Sequence, residues 1–224
     1  SLGITLTPYK ICTFDCVYCQ LGRTGDKTRE IKEYVNIEEI LNELNLWLQN
    51  NTLEAKKLNY ITLSGSGEPT LNTKIGQLIA GIKKITATPT AIITNASTLS
   101  LPSVRQALVL ADLIVPSLDA VTPEVFEKID QPHKDIKIED VINGLINLRK
   151  EFRGKIWLEV MLVRGINDSL GHIRKLKEII DRIAPDKIQL NSPVRPTAIS
   201  NILCADKKKL ERIKEILGDR AQII

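Results

Sequence analysis

Six apolar, β-branched runs separated by amphipathic stretches limit the fold of this chain more than any other feature. The runs are Leu2–Leu6, Leu58–Leu63, Pro89–Thr94, Leu113–Ser117, Lys155–Val163 and Lys187–Asn191. Short, nearly continuous apolar runs suit strands covered on both faces. Between them, apolar residues recur at helical spacing. Ile37, Ile40, Leu41, Leu44 and Leu48 stripe Ile37–Gln49, and Ile75, Leu78, Ile79 and Ile82 stripe Asn72–Lys84. The same period runs through Pro102–Leu110, Thr122–Ile129, Ile138–Phe152, Leu170–Ile183 and Ala205–Leu217. Asn36, Thr122 and Asp168 or Ser169 stand where N-caps belong, and Gly218 stands where the last helix should end. Strands alternating with helices predict an α/β fold with a parallel sheet, either an open (βα)6 partial barrel or a doubly wound sheet. Both gather their ligands at the carboxyl ends of the strands.

With 224 residues, no internal repeat and no linker, residues 1–224 are expected to form a single domain. No apolar stretch reaches membrane length and no signal-peptide pattern opens the chain, so no membrane partner is expected, and four cysteines in 224 residues suit the cytoplasm. The chain opens at Ser1 rather than at methionine, which leaves room for residues before it. The net charge of +4 is mild. Lys207, Lys208 and Lys209 open a helix whose apolar face carries Leu210, Ile213 and Ile216. They suit a solvated face, and they also permit a nucleic-acid contact.

Just beyond the first run lies Cys12-Thr-Phe-Asp-Cys16-Val-Tyr-Cys19. Thiolates so closely spaced on a loop can converge on one cluster of soft metal ions. A four-iron cluster usually takes four cysteines, so three leave one iron open to a small molecule. A structural zinc site would need a fourth ligand, and His133 and His172 lie far along the chain. A disulfide would leave one thiol over.

The spacing, with Tyr18 before the last cysteine, resembles the radical S-adenosylmethionine (SAM) enzymes. The resemblance implies that Cys12, Cys16 and Cys19 hold a [4Fe–4S] cluster and that the open iron binds SAM. It also implies flavodoxin or ferredoxin as electron donor, and it favours the partial barrel over the doubly wound sheet. Reductive cleavage of the cofactor then yields a 5′-deoxyadenosyl radical that takes hydrogen from a substrate.

Polar residues fall just after the runs, as that fold requires. Ser64-Gly65-Ser66-Gly67-Glu68-Pro69 resembles the family's G-G-E-P segment, with Ser66 interrupting the glycine pair. Gly65, Ser66 and Gly67 would let the backbone approach the cofactor, and Glu68 would face its ammonium. Asn95, Ser117 and Asp119 end the third and fourth runs, and Asn191 ends the sixth. All four are expected to line the cofactor. Glu159 is the one acid in the fifth run, on the same strand face as Trp157 and Met161, and is expected to point into the lumen beside the cofactor, an edge or surface carboxylate being the alternative. Arg195 closes the cofactor pocket, meets an anionic substrate or braces its Pro-flanked loop.

Within the superfamily, Ser117-Leu118-Asp119-Ala120, the segment Pro123–Pro132 and the Gly165–Asp168 loop resemble the wybutosine-synthesis enzymes of tRNA and their uncharacterised Fe–S oxidoreductase relatives. The former carry a second cluster on additional N-terminal cysteines. Here one further cysteine exists, Cys204, whose expected role is that of a small core residue. The substrate therefore stays open between tRNA, a partner protein as in glycyl-radical activation, and a small molecule. A non-enzymatic electron carrier would not need the Gly65–Pro69 loop.

Overall fold

The computed structural model describes residues 1–224. Seven strands form one sheet: β1 (Leu2–Thr5), β2 (Ile61–Ser64), β3 (Thr90–Thr94), β4 (Leu113–Pro116), β5 (Lys155–Met161), β6 (Lys187–Asn191) and β7 (Ala221–Ile223). Their spatial order is their chain order, and every neighbouring pair is parallel. A doubly wound sheet reverses strand order midway and covers both faces with helices. Sequential order keeps every crossover on one side, so the sheet curls without closing and β1 and β7 remain free edges. The fold is an open parallel partial barrel, as expected, with one strand more than the six anticipated. The short β7 has no apolar signature in the sequence, because its three residues include Gln222.

The helices are α1 (Ile37–Asn50), α2 (Thr52–Ala55), α3 (Ile75–Ile85), α4 (Pro102–Leu108), α5 (Pro123–Ile129), α6 (Ile138–Glu151), α7 (Leu170–Ile183) and α8 (Lys207–Leu217). The one-turn α2 was not anticipated. The segment expected to open α3 at Asn72 instead follows a short 3₁₀ turn, Pro69–Leu71. The Asn36 side chain caps α1 through the Glu38 amide, and Ser169 caps α7 through that of His172. Thr122 occupies the N-cap of α5 without a side-chain cap bond. Gly218 ends α8 at a φ of 87°.

A single cluster of buried side chains fills the space between sheet and helices, with Ile61, Leu63, Ile92, Ile114, Leu158 and Ile188 among its strand members. The concave face carries a much smaller one: Ala91, Leu113 and Val115, closed by Tyr60 and Trp157 at 6.2 Å edge-to-face. This aromatic pair floors the lumen and leaves the strand tops for polar residues. No helix is long and apolar enough to cross a membrane.

Candidate active site at the strand tops

The loop after β1 carries the three cysteines, all half-buried. Phe14 and Val17 anchor it in the core, and backbone bonds pin it to the loop after α5. The amides of Asp15 and Val17 donate to the carbonyls of Asp130 and Ile129, and that of His133 donates to Thr13. Arg23 reaches back to the buried Asp15 carboxylate at 2.6 Å, and Asp15 also accepts from the Thr24 amide. The loop is thereby held at the rim of the lumen.

The Gly65–Pro69 loop lies directly against it. The Lys10 amide donates to Ser66 O at 2.5 Å, and the Glu68 amide donates to Ile11 O at 2.9 Å. Gly65 has a φ of 118°, and a Cβ there would lie 2.5 Å from Thr5 Oγ1. Glycine is thus required by conformation and by space. Glu68 is buried, and its two oxygens accept from the Thr70 amide and hydroxyl, the Thr94 hydroxyl and the Asn95 amide. Burial raises its pKa against those bonds. Glu68 therefore ties the end of β2 to the end of β3, while Oε2, with Asn95 alone as partner, keeps accepting capacity.

Asn95 joins the two loops from the other side. Its Nδ2 donates to Thr13 Oγ1 at 2.8 Å and lies 3.6 Å from Cys12 Sγ. Ser117 shares a small cleft with Asn95, Tyr18 and Asp119. Asp119 is buried and accepts from the Tyr18 hydroxyl and from the Met161 amide at 2.7 Å. Burial pushes its pKa up to about 7, and the nearby Glu159 charge adds to the effect. Asp130, behind it, accepts from Cys16 Sγ at 3.5 Å, and its pKa is raised by burial and by Asp119. Burial likewise raises Cys12 to about 11 and Cys16 well above an ordinary thiol. Glu159 and Asn191 meet at 3.3 Å on adjacent strands, and burial raises the Glu159 pKa. Glu159 also shares its strand face with Trp157 of the lumen floor.

The nine polar-loop and strand-end residues singled out from sequence thus gather around the cysteine loop at one end of the sheet. Tyr18, Thr13, Asp130 and Lys10 belong with them and were not singled out as site residues. Asp130 sits within the Pro123–Pro132 motif, but only tertiary packing brings it to Cys16. Arg195 donates to Gln20 Oε1 at 3.1 Å. With Tyr18, Met161 and Asn191 it lines a cavity of about 320 Å³ beside the cysteine loop. Cys204 departs from its expected core position. It is exposed, and its sulfur donates to Pro193 O at 2.7 Å. A larger cavity of about 700 Å³, bordered by Lys27, Phe126, His133 and Lys137, lies on the far flank of the cysteine loop and includes none of these site residues.

The donor set fits an iron–sulfur cluster. It consists of three soft sulfurs on one anchored loop, with Gly67 packed against that loop so tightly that no side chain fits between them. A cluster spreads its thiolates over several metal ions.

Comparison with known proteins shows the family and the fold. The chain is 41% identical over 96% of its length to part of a Brachyspira hyodysenteriae protein named GTPase Obg, of which it spans 31%. It is 33% identical over its whole length to a UPF0026 protein of Methanocaldococcus jannaschii, of which it spans 68%. Its fold superposes on TYW1, solved with a lysine-pyruvate adduct bound, with a TM-score of 0.67 at 20% identity, covering 96% of this chain and 72% of that one. The family model of the radical SAM superfamily matches residues 6–176. The chain belongs to the radical SAM superfamily of enzymes.

Proposed function

We propose that residues 1–224 form one radical SAM unit in which Cys12, Cys16 and Cys19 hold a [4Fe–4S] cluster and the surrounding strand tops bind SAM. The observation that carries this reading is the direct zipping of the cysteine loop to the Gly65–Pro69 loop through Lys10, Ile11, Ser66 and Glu68. With its cluster bound, such a site would supply one electron for cleaving the cofactor's sulfonium, and the resulting 5′-deoxyadenosyl radical would abstract hydrogen from the substrate.

The chain's own residues supply position and exclusion. Gly65, Ser66 and Gly67 offer backbone groups at close range to a methionyl end. Glu68 Oε2 offers a buried acceptor to its ammonium, and Asn95 keeps the two loops in register. Ser117, Asp119, Glu159 and Asn191 line the approach from β4 to β6, where Asp119 fixes Tyr18 against the lumen wall. The Tyr60–Trp157 floor keeps water out from below. A flavodoxin or ferredoxin would be the one-electron donor, and the reducing cytoplasm suits an oxygen-sensitive cluster.

The substrate is reached through the open concave face. Lys209 is already paired with the buried Asp168 at 2.6 Å, which leaves Lys207 and Lys208 free. That reduced patch favours a small molecule or a protein over wybutosine-type tRNA modification, and glycyl-radical activation is the protein alternative. Anaerobic reconstitution followed by assay of 5′-deoxyadenosine tests the reaction. Iron-loaded, reduced protein should cleave SAM and change its electron paramagnetic resonance (EPR) spectrum when the cofactor is added. A spectrum indifferent to SAM overturns the proposal. Tight, salt-steep and tRNA-selective binding would restore the tRNA reading.

A further inference from the structure

The three thiols stand in unequal electrostatic surroundings. Asp130 lies 3.5 Å from Cys16, and Asn95 bridges Cys12 to the buried Glu68. Cys19 instead has a cation, with Lys10 Nζ 2.8 Å from its sulfur. Lys10 takes a left-handed backbone conformation with a φ of 64°. A residue with a Cβ adopts that conformation only where its surroundings hold it. The hold is visible, because the Lys10 amide is spent on Ser66 O and the next carbonyl on the Glu68 amide. The loop contact that builds the site therefore also aims this side chain across the turn at the third cysteine.

Adding an electron to a metal cluster adds negative charge. Fixed carboxylates nearby oppose that step, and a fixed cation or a donor to a ligand sulfur favours it. We propose that Lys10 is a positioning residue of the metal centre: its ammonium holds the Cys19 sulfur and offsets the neighbouring carboxylates, so that the centre accepts an electron more readily. This rests on the cluster reading above. The step is the gain of one electron from a one-electron donor. No bond forms or breaks at Lys10, and its protons stay in place.

The test compares wild type, Lys10→Met and Lys10→Arg after anaerobic reconstitution, by iron content, EPR-monitored redox titration and SAM affinity at one pH. Lys10→Met should keep its iron and become roughly tenfold harder to reduce, a shift of about 59 mV to more negative potential for a one-electron couple. Lys10→Arg should stay near wild type. If Lys10→Met loses iron while Lys10→Arg keeps it, the lysine serves assembly rather than electron acceptance, which overturns the proposal. Iron loss in both variants, equal shifts in both, or an unmoved potential with weakened SAM binding overturns it. Wild type that takes up no iron fails the cluster reading itself, a result visible before any variant is compared.

Discussion

A Cβ on Gly67 would lie 1.8 Å from the carbonyl oxygen of Ile11, well inside any tolerable contact. That same oxygen accepts the Glu68 amide. The absence of a side chain at position 67 is therefore what lets the loop after β2 seat against the cysteine loop. Gly67→Val must push the two apart, because the obstacle is backbone and cannot rotate away. Overpacking of this kind costs about 1–3 kcal/mol. The variant should fold with lowered stability, take up less iron and lose most of its SAM affinity, as read by iron assay and equilibrium binding. Wild-type affinity in Gly67→Val would reduce the loop to an ordinary turn.

How much of this was legible in the sequence depended on the range of the interactions. The strands with β-branched runs were visible because burial on both faces leaves an apolar signature, and the cysteine spacing was visible because the three residues are close in sequence. The strands are present with small shifts of boundary, such as β2 beginning at Ile61 rather than Leu58. What stayed hidden was tertiary. The role of Glu68 as a tie between strands depends on Thr94 and Asn95, far along the chain. The contact between Asp130 and Cys16 spans 114 positions. Cys204 looked like a core residue by type, but it sits on a surface segment paired with Val163, whose position no local pattern dictates.

The cysteines give a sharper chemical test. Anaerobically loaded protein should hold about four irons per chain. Cys12→Ala, Cys16→Ala and Cys19→Ala should each abolish that loading. Cys204→Ala should leave it intact, because Cys204 is exposed and hydrogen-bonded to Pro193 rather than facing the other three. Full iron content in the triple variant would end the cluster reading.

Asn167 is wholly buried and spends its side chain on three backbone groups. Its Nδ2 donates to Asp119 O at 2.8 Å and Met161 O at 2.7 Å, and its Oδ1 accepts the Val163 amide at 2.8 Å. It thus clamps the end of β5 to the loop after β4, which carries Asp119. Asn167→Ala leaves the Met161 carbonyl and the Val163 amide buried without their side-chain partner, while the Asp119 carbonyl keeps its bond from His172, at about 1–3 kcal/mol for each unpaired group. Allowing for relaxation, urea unfolding should show a loss of about 3 kcal/mol, with a lower midpoint and an unchanged slope. A loss below about 1 kcal/mol would mean that water replaces the clamp.

His172, in the first turn of α7, supplies a pH dependence of definite sign. The residue is buried, and its Nε2 has no hydrogen-bond partner. Burial lowers its pKa below the ordinary histidine value; a backbone bond at Asp119 works against this, and the Lys175 charge adds to it. The start of a helix is also an unfavourable place for an imidazolium. On acidification the unfolded chain therefore takes up this proton first, beginning near the ordinary value of about 6.5. Stability is lost as pH falls below that point, until the folded histidine protonates as well. The buried carboxylates act in the opposite sense. Asp119, raised to about 7, favours the folded state on acidification, so the overall pH profile mixes both signs. The difference between wild type and His172→Gln isolates the histidine. Thermal unfolding at pH 7.5 and 5.5 should show wild type losing ground to His172→Gln at the lower pH. If the two proteins change in parallel between those values, His172 is not the group responsible.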